Sequence, residues 1–190
     1  MPKVGMEPIR RAALIDATIT EIGHAGSLDI TVGQIAKRAG VSSGLAHHYF
    51  GGKDDLLLAA MRHVLHVYGH EVLTRLRGQT TPLERARAIV EGAFAPSNFA
   101  HRTIAAWMNF YVLALSSSEA RRLHRIYSKR LRGNLIDALR PALGADASDT
   151  AERIAALIDG FYLAQGLSDA APDGSVAAAR IMTTVEDVLR

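Results

Sequence analysis

Hydrogen-bond donors are concentrated in one short stretch of the chain, SSGLAHHYF at residues 42–50. Two hydroxyls, two imidazoles and a phenol lie within these nine positions, carried by Ser42, Ser43, His47, His48 and Tyr49. Such groups donate hydrogen bonds to phosphate oxygens and to the edges of bases. The 190-residue chain has no cysteine, which excludes disulfides, thiolate metal ligands and cysteine nucleophiles. The stretch therefore favours recognition of an oxygen-rich partner.

The composition is that of a globular protein, with 48% apolar and 22% charged residues. The sequence pI is about 9.4 but the formal charge is only +3, which is a weak indication of a polyanionic partner. The chain begins without the pattern of a secretion signal, and no apolar run approaches the roughly 20 residues that cross a bilayer. We therefore expect a cytoplasmic protein without a membrane partner.

Helical spacing of apolar residues recurs along the whole chain, and alternating strand patterns are missing, so the fold class is predicted to be all-α. A first helix, with Ile9 on its apolar face, should end near Gly26. Thr31 should cap a second helix that Gly40 ends, and Ser42 should cap a third that runs to about Tyr49. Further helices are predicted at 53–77, 82–94, 100–115, 118–140, 149–167 and 175–189, with a break at 141–149.

The second and third helices are joined by a turn of about three residues, which is typical of a helix-turn-helix. The third helix would enter the major groove of DNA, with Ser43, Gly44 and Ala46 allowing close approach and Leu45 pointing inward. Thr31 and Lys53 stand at helix starts, where free backbone N–H groups and the helix dipole favour phosphate oxygens. A plain helical hairpin is the alternative. The sequence thus predicts a DNA-binding domain at 1–52 and a ligand-binding and dimerisation domain at 53–190.

The segment TVGQIAKRAGVSSGLAHHYFGGKDDLL resembles the N-terminal signature of TetR-type regulators. That resemblance implies a three-helix DNA-binding domain ahead of a helical domain that binds a ligand and dimerises. The Ala-Gly-Val-Ser turn and the Tyr-Phe pair before a Lys-opened helix carry most of it. It implies a homodimer on a palindromic double-stranded DNA operator, with two recognition helices about 34–36 Å apart.

A closer resemblance is carried by MPKVGMEPIRR, by the HYF ending, and by AAWMNFY and AALIDGFYL. These segments are similar to the choline-responsive BetI-type repressors of glycine betaine synthesis genes. The resemblance implies repression that choline or a related cation relieves. It also assigns DNA contacts to Ser43, Gly44, His48, Tyr49 and Lys53.

Aromatic residues in the second domain suit a quaternary ammonium ion, which has no N–H to donate and binds to aromatic faces. Trp107, Phe110 and Tyr111 share one face of a helix because they stand at i, i+3 and i+4. A later helix carries Phe161 and Tyr162. The alternative is that these rings only fill a core.

Two carboxylates are candidate partners for the cation, Glu91 and Asp159. The LIDG segment around Asp159 is common to TetR-type chains, which favours a structural role for it. BetI-type sequences tend to carry Asn and Asp in a GNFD segment, whereas this chain reads GAFA at 92–95. The alternative function is therefore a TetR-type repressor of another pathway, such as efflux, that senses a different cationic or amphipathic small molecule.

Other classes of protein find little support. His66 and His70 share a helix face, but two imidazoles without further ligands are weak evidence for a metal, and neither a metal nor a cofactor is predicted. A nucleophile motif such as G-x-S-x-G is missing, so no enzyme is expected. Small and apolar residues of the last two helices should divide between the chain's own core and a dimer interface. They are Ala151, Ile154, Ala155, Ile158, Ala177, Ile181, Val185 and Val188.

Overall fold

A computed structural model describes residues 5–190, and the described chain is helical throughout, as predicted. The first three helices are α1 (Met6–Ala25), α2 (Val32–Arg38) and α3 (Ser43–Phe50). The remaining helices are α4 (Lys53–Leu76), α5 (Pro82–Ala93), α6 (His101–Ser116), α7 (Ser118–Leu143), α8 (Ala147–Gly166) and α9 (Gly174–Val188). A single turn of 3₁₀ helix at 144–146 joins α7 to α8.

The predicted caps of the first three helices are confirmed. The Thr31 hydroxyl accepts a hydrogen bond from the amide of Gln34, while the Gln34 side chain accepts one from the amide of Thr31. Ser42 caps α3 by accepting from the amide of Leu45 at 3.2 Å. Gly26 and Gly40 follow α1 and α2 with φ of 62° and 68°, a left-handed conformation that disfavours residues with a Cβ.

Two of the sequence predictions about helices are wrong. The break predicted at 141–149 is too long, because α7 continues through Pro141 to Leu143. Pro141 lies in the last turn, where the loss of one backbone hydrogen bond is tolerated better than in a helix interior. Ile9, predicted on the buried face of α1, is 62% exposed because the buried positions of α1 begin only at Leu14.

The α1–α3 unit encloses a small apolar core in which Leu14, Ile35 and Ala46 are fully buried, and Leu56 at the start of α4 closes it. Helix α4 then runs on into the larger domain. Both α4 and α6 pack against α1, so the two parts of the chain share one continuous apolar interior.

The corner between α6 and α7 is formed by one residue, Ser117. Its hydroxyl caps α7 by accepting from the amide of Ala120 at 3.2 Å. The Arg121 guanidinium donates to the carbonyls of Ala114 and Leu115 at 3.0 and 2.6 Å, and so satisfies carbonyls at the end of α6. The two helices are thereby held at a fixed corner.

Helices α8 and α9 bury most of the residues that the sequence divided between core and interface. Seven of those eight residues lie in the chain's own core, and Val188 is half-buried. A different stripe, formed by α8 and the residue that follows it, is exposed instead, and it includes Ala156, Gly160, Leu163 and Leu167.

Candidate DNA-contact helix and cation site

Helix α3 presents most of its predicted contact residues to solvent. Ser43, Gly44, His47 and His48 are exposed, and an added Cβ at Gly44 would meet no atom within 4 Å. Ala46 is the exception: it is 0% exposed and packs into the core of the helix-turn-helix, so its predicted place beside DNA is wrong. Its small side chain lets α3 approach α1 and α2, while Leu45, predicted inward, is half-buried.

Several predicted contact groups already serve the local backbone. The hydroxyls of Thr31 and Ser42 accept from the amides of Gln34 and Leu45, so they fix the starts of α2 and α3. His47 donates from Nδ1 to the carbonyl of Gly51 at 2.9 Å. This bond leaves Nε2 of His47 as the nitrogen that can reach a partner.

Tyr49 lies at the end of α3 and Lys53 at the start of α4, and both side chains are half-buried. The guanidinium of Arg11 lies 5.1 Å from the ring centres of Tyr49 and Phe50, a cation–π arrangement that joins α1 to α3. Arg11 also donates to Glu7 at 2.8 Å. These contacts place the Tyr49 and Phe50 rings against α1.

An aromatic cluster forms around Trp107 in the larger domain. Its ring centre lies 5.7 Å from that of Phe110, 5.9 Å from Tyr111 and 6.3 Å from Tyr162. The nearest ring is one that the sequence did not suggest, Tyr127 on α7, at 4.7 Å. At that distance the two rings are in contact, so a cation can enter between them only if one ring moves.

Asp159 supplies the negative charge of this cluster. The hydroxyls of Tyr111 and Tyr127 donate to the same Asp159 oxygen, at 3.0 and 3.3 Å. Burial raises the pKa of the Asp159 carboxyl above its ordinary value, and the two tyrosine hydrogen bonds act in the opposite direction. The pKa values of Tyr111 and Tyr127 are raised, chiefly by burial, so both phenols stay protonated and act as donors.

Two buried polar atoms of the cluster lack a hydrogen-bond partner. They are the hydroxyl of Tyr68 on α4 and the indole Nε1 of Trp107. The Tyr68 ring stacks edge-on against Tyr127 at 5.3 Å. Because buried polar groups are usually satisfied in proteins, these two donors are the groups of the cluster that can bind water or a further molecule.

Two of the predicted ligand residues lie outside the cluster. Phe161 is half-buried and precedes Tyr162 by one residue, so its side chain leaves α8 about 100° away from that of Tyr162. Glu91 occupies an exposed position of α5 and lines a separate groove between α5 and α9, together with Arg75 and Arg87. The acidic partner of the rings is therefore Asp159, for which the sequence favoured a structural role.

Sequence spacing did not suggest Tyr68 or Tyr127, because neither has a second tyrosine, phenylalanine or tryptophan on its own helix. The GAFA segment lies behind Tyr162, whose hydroxyl donates to the carbonyl of Ala93 at 2.6 Å. Ala93 and Ala95 are 0% and 2% exposed. Polar side chains at these positions would have to be buried against Tyr162, and alanine avoids that cost.

No group of three or more histidine, aspartate or glutamate side chains that could hold a metal ion occurs within residues 5–190. Over the same residues, no helix is both long and apolar enough to span a membrane.

A helix-turn-helix unit that shares its core with a larger helical domain is an arrangement typical of DNA-binding transcriptional regulators. The sequence profile of "Bacterial regulatory proteins, tetR family" matches residues 14–60. The profile "BetI-type transcriptional repressor, C-terminal" matches residues 82–190. The chain belongs to the TetR family of bacterial regulatory proteins and, within it, to the BetI-type transcriptional repressors.

Curated relatives are similar along nearly the full chain. A Brucella anthropi protein named "HTH-type transcriptional regulator BetI" is 51% identical over 182 residues, which cover 95% of this chain and 94% of that protein. A Rhizobium meliloti protein of the same name is 47% identical over 171 residues, covering 90% and 84% of the two chains.

Solved structures share the fold at lower identity. A transcriptional regulator from Rhodococcus sp. Rha1 superposes with a TM-score of 0.83 at 22% identity, covering 94% of this chain and 95% of that one. A putative transcriptional regulator from Saccharomonospora viridis, crystallised in complex with choline, gives 0.82 at 20% identity, covering 93% and 94%. At these identities the likeness establishes the fold.

Proposed function

We propose that the chain is a dimeric repressor that binds a palindromic operator and releases it when choline, or a closely related quaternary ammonium ion, enters the Asp159 cluster. The similarity to BetI-type repressors suggests glycine betaine synthesis genes as the regulated genes. The observation that carries the proposal is a buried carboxylate, held by two tyrosine hydroxyls, among the rings of Trp107, Tyr111, Tyr127 and Tyr162.

The chemistry of this cluster suits a permanent cation. Aromatic faces attract a cation that cannot donate hydrogen bonds, and Trp107 offers the strongest such face. Asp159 adds a full negative charge in surroundings of low polarity, where Coulombic attraction is stronger than in water. The relatives named BetI and the choline complex of the Saccharomonospora viridis regulator support the same class of effector.

The rings of the cluster are packed together in this structure, and we take this arrangement as the DNA-binding state. A ligand must separate Trp107 from Tyr127, which are 4.7 Å apart, and so push α6 away from α7 or rotate it. The ligand shifts the protein toward release only by the difference between its affinities for the two arrangements.

Helix α6 is the element that transmits this movement. Its Arg102 donates to Asp16 at 2.8 Å and to Thr20 at 2.9 Å, both on α1. At Gly23 the backbones meet: an added Cβ there would lie 2.7 Å from the Cβ of Arg102. The exposed Arg102–Asp16 ion pair contributes little energy by itself, so the close packing at Gly23 is the stronger constraint.

A second contact fixes α6 further along. Asn109 donates to the carbonyl of Gly26, at the end of α1, at 3.2 Å. Trp107, Phe110 and Leu113 also line a nearly filled cavity of about 10 Å³ against α1 and α4. Trp107 therefore belongs both to the aromatic cluster and to the packing of α6 against α1. A shift of α6 therefore moves α1 and, with it, the recognition helix α3.

The exposed stripe of α8 and its neighbours on α9 suit the dimer interface. Leu163, Leu167 and Val176 are 51%, 70% and 42% exposed, and Ala156 and Gly160 permit close approach of a second copy. Two such surfaces form a four-helix interface around a two-fold axis. Each recognition helix would contact DNA through Ser43, Gly44, His47, His48 and Tyr49, with Thr31, Ser42 and Lys53 near phosphates.

A second candidate function keeps the fold and changes the effector. The GAFA segment leaves out the Asn and Asp that BetI-type chains tend to carry, which favours a cationic or amphipathic effector other than choline. Such a protein would control another pathway, such as efflux.

An operator gel shift with a choline titration tests both candidates. Promoter fragments upstream of betaine synthesis genes should be retarded by the dimer and released by choline, with tetramethylammonium as a weaker effector. Retardation that stays unchanged at saturating choline, with no change in Trp107 fluorescence, would reject choline and favour the second candidate. No retardation at low salt would reject operator binding altogether.

A further inference from the structure

A groove of about 360 Å³ lies between α4 and α7, outside the aromatic cluster. Its walls include Leu65, Gly69 and Leu73 of α4 and Ile126 of α7, with Arg130 and Asn134 also lining it. We call it the α4–α7 groove. Its apolar walls with a few polar groups are typical of a small-molecule site.

The groove and the cluster share two walls. Tyr68 and Tyr127 line the groove. The same Tyr127 is in ring contact with Trp107 and donates to Asp159. A molecule seated at Asp159 would therefore reach the groove after passing these two tyrosines.

Two observations indicate that part of a ligand belongs there. The Tyr68 hydroxyl is buried without a partner at the boundary between groove and cluster. Leu73 and Ile126 are 60% and 38% exposed on opposite walls, although large apolar side chains gain free energy when they are covered. Gly69 lines the groove, and the space beside it is open, since an added Cβ there would meet nothing within 4 Å.

The surroundings decide what covers these residues. A second, smaller depression of about 130 Å³ reaches Asp159 from α8 and is lined by Glu152 and Ala156. That depression lies on the α8 surface that we assign to the dimer, so a second copy would cover it. The α4–α7 groove lies on other helices and is separated from the cluster only by the side chains of Tyr68 and Tyr127, which favours an arm of the effector as its occupant.

We propose that the α4–α7 groove is a subsite for a hydrocarbon arm of the effector, so that the site takes quaternary ammonium ions larger than choline. The head lies at Asp159 and Trp107, an oxygen near the head accepts from the Tyr68 hydroxyl, and the arm covers Leu73 and Ile126. This subsite rests on the proposed cation site and extends its ligands from choline to O-substituted cholines.

Butyrylcholine is the matched probe, because it keeps the head and the oxygen of choline and adds a short arm. Full burial of each added methylene strengthens binding by about fourfold, so the butyryl arm should tighten binding at least ~10-fold over choline. Isothermal titration of both ligands into the full-length protein measures this ratio, and an analytical check for ester hydrolysis accompanies it.

Gly69 offers a matched pair of variants. Gly69→Ala adds one methyl group where there is room and should keep the ratio. Gly69→Leu fills the groove and should bring butyrylcholine down to the affinity of choline, while choline itself binds as before. The circular dichroism spectrum and melting temperature of both variants report whether they fold.

The outcomes separate the subsite from the proposed function. Equal affinities of choline and butyrylcholine for the wild-type protein would overturn the subsite and leave the choline sensor intact. A ratio that survives Gly69→Leu would place the arm elsewhere and overturn it too. If neither ligand binds, the cation site fails and the subsite fails with it.

Discussion

The recognition helix and the aromatic cluster are built in opposite ways. Helix α3 is short, capped by its own neighbours, and presents polar side chains to solvent, so its binding face exists before DNA arrives. The cluster is drawn from α4, α6, α7 and α8 and its rings are in mutual contact, so the ligand that we propose for it would have to separate them. A preformed surface suits reading a fixed partner, and a closed cluster suits converting occupancy into movement.

Removing the charge of the cluster should have the largest effect and should leave α3 untouched. We expect Asp159→Asn to weaken choline binding by ~100-fold, because a buried charge interaction is lost while the amide oxygen still accepts from both tyrosines. Isothermal titration measures the affinity, and DNA binding without choline should not change. Glu91→Gln, at an exposed acid outside the cluster, is the control; an equal loss there would contradict the assignment.

A variant at Gly23 tests the packing of α6 against α1, which connects the cluster to the helix-turn-helix. Gly23→Ala would force α1 and α6 apart, because the new Cβ would lie 2.7 Å from the Cβ of Arg102. We expect a loss of about 1–3 kcal/mol in the free energy of unfolding, measured by urea denaturation. Gly69→Ala is the matched helix-interior control with open space, and there stability should rise by about 0.5–1 kcal/mol. Equal shifts in both variants would argue against tight packing between α1 and α6.

A variant at the start of α4, next to α3, should weaken DNA binding without changing choline binding. We expect Lys53→Ala to weaken binding by about tenfold on every DNA sequence and to reduce the slope of log affinity against log salt by about one. Fluorescence anisotropy across a salt series measures both. Lys129→Ala, at an exposed lysine of α7, serves as control. A change confined to one operator sequence would mean that Lys53 reads bases and not phosphate.

A variant of the contact between α6 and α1 should weaken the link between choline binding and DNA release, while the protein still binds each of the two. Arg102→Ala removes the hydrogen bonds to Asp16 and Thr20, and we expect the choline concentration needed for DNA release to rise about fivefold. Choline affinity in the absence of DNA should stay near the wild-type value. If release and choline affinity fall together, Arg102 acts on the site and not on the coupling.

Acidification should give the smallest effect. Since burial raises the pKa of Asp159, its charge is lost at a higher pH than for an ordinary aspartate, and choline affinity should fall as the pH drops through that value. The free energy of unfolding should instead rise as the pH falls through that range, because the folded chain then holds a proton on Asp159 that the unfolded chain has released. Isothermal titrations of choline at neutral pH and at successively lower pH measure this loss, and Asp159→Asn should remove the part of it that comes from Asp159, while any part from the neighbouring His124 stays.

Much of the DNA-binding half could be predicted from the sequence because its signals are local. Thr31, Gly40 and Ser42 act on neighbours within four residues, and the structure confirms each of them. Ala46 was misplaced because burial in α3 depends on how α1 crosses it, which spacing does not specify.

The cluster was only partly predictable because its contacts are long-range. Trp107 and Tyr111 share a helix face and were found together, whereas Tyr68, Tyr127 and Asp159 meet them only after four helices pack. Glu91 was favoured for its charge alone, and its exposed position on α5 could not be read from the residue type.

The one-residue corner at Ser117 has a consequence for how this family member can vary. With Arg121 bound to the last carbonyls of α6, the two helices form a stiff elbow, and Trp107 and Tyr127 stand on its two arms. Widening the gap between those rings therefore turns the elbow as one piece instead of being absorbed by a slack linker. On the proposed function, an insertion of a few glycines at Ser117 should leave the protein folded and able to bind its effector, while effector binding no longer releases DNA.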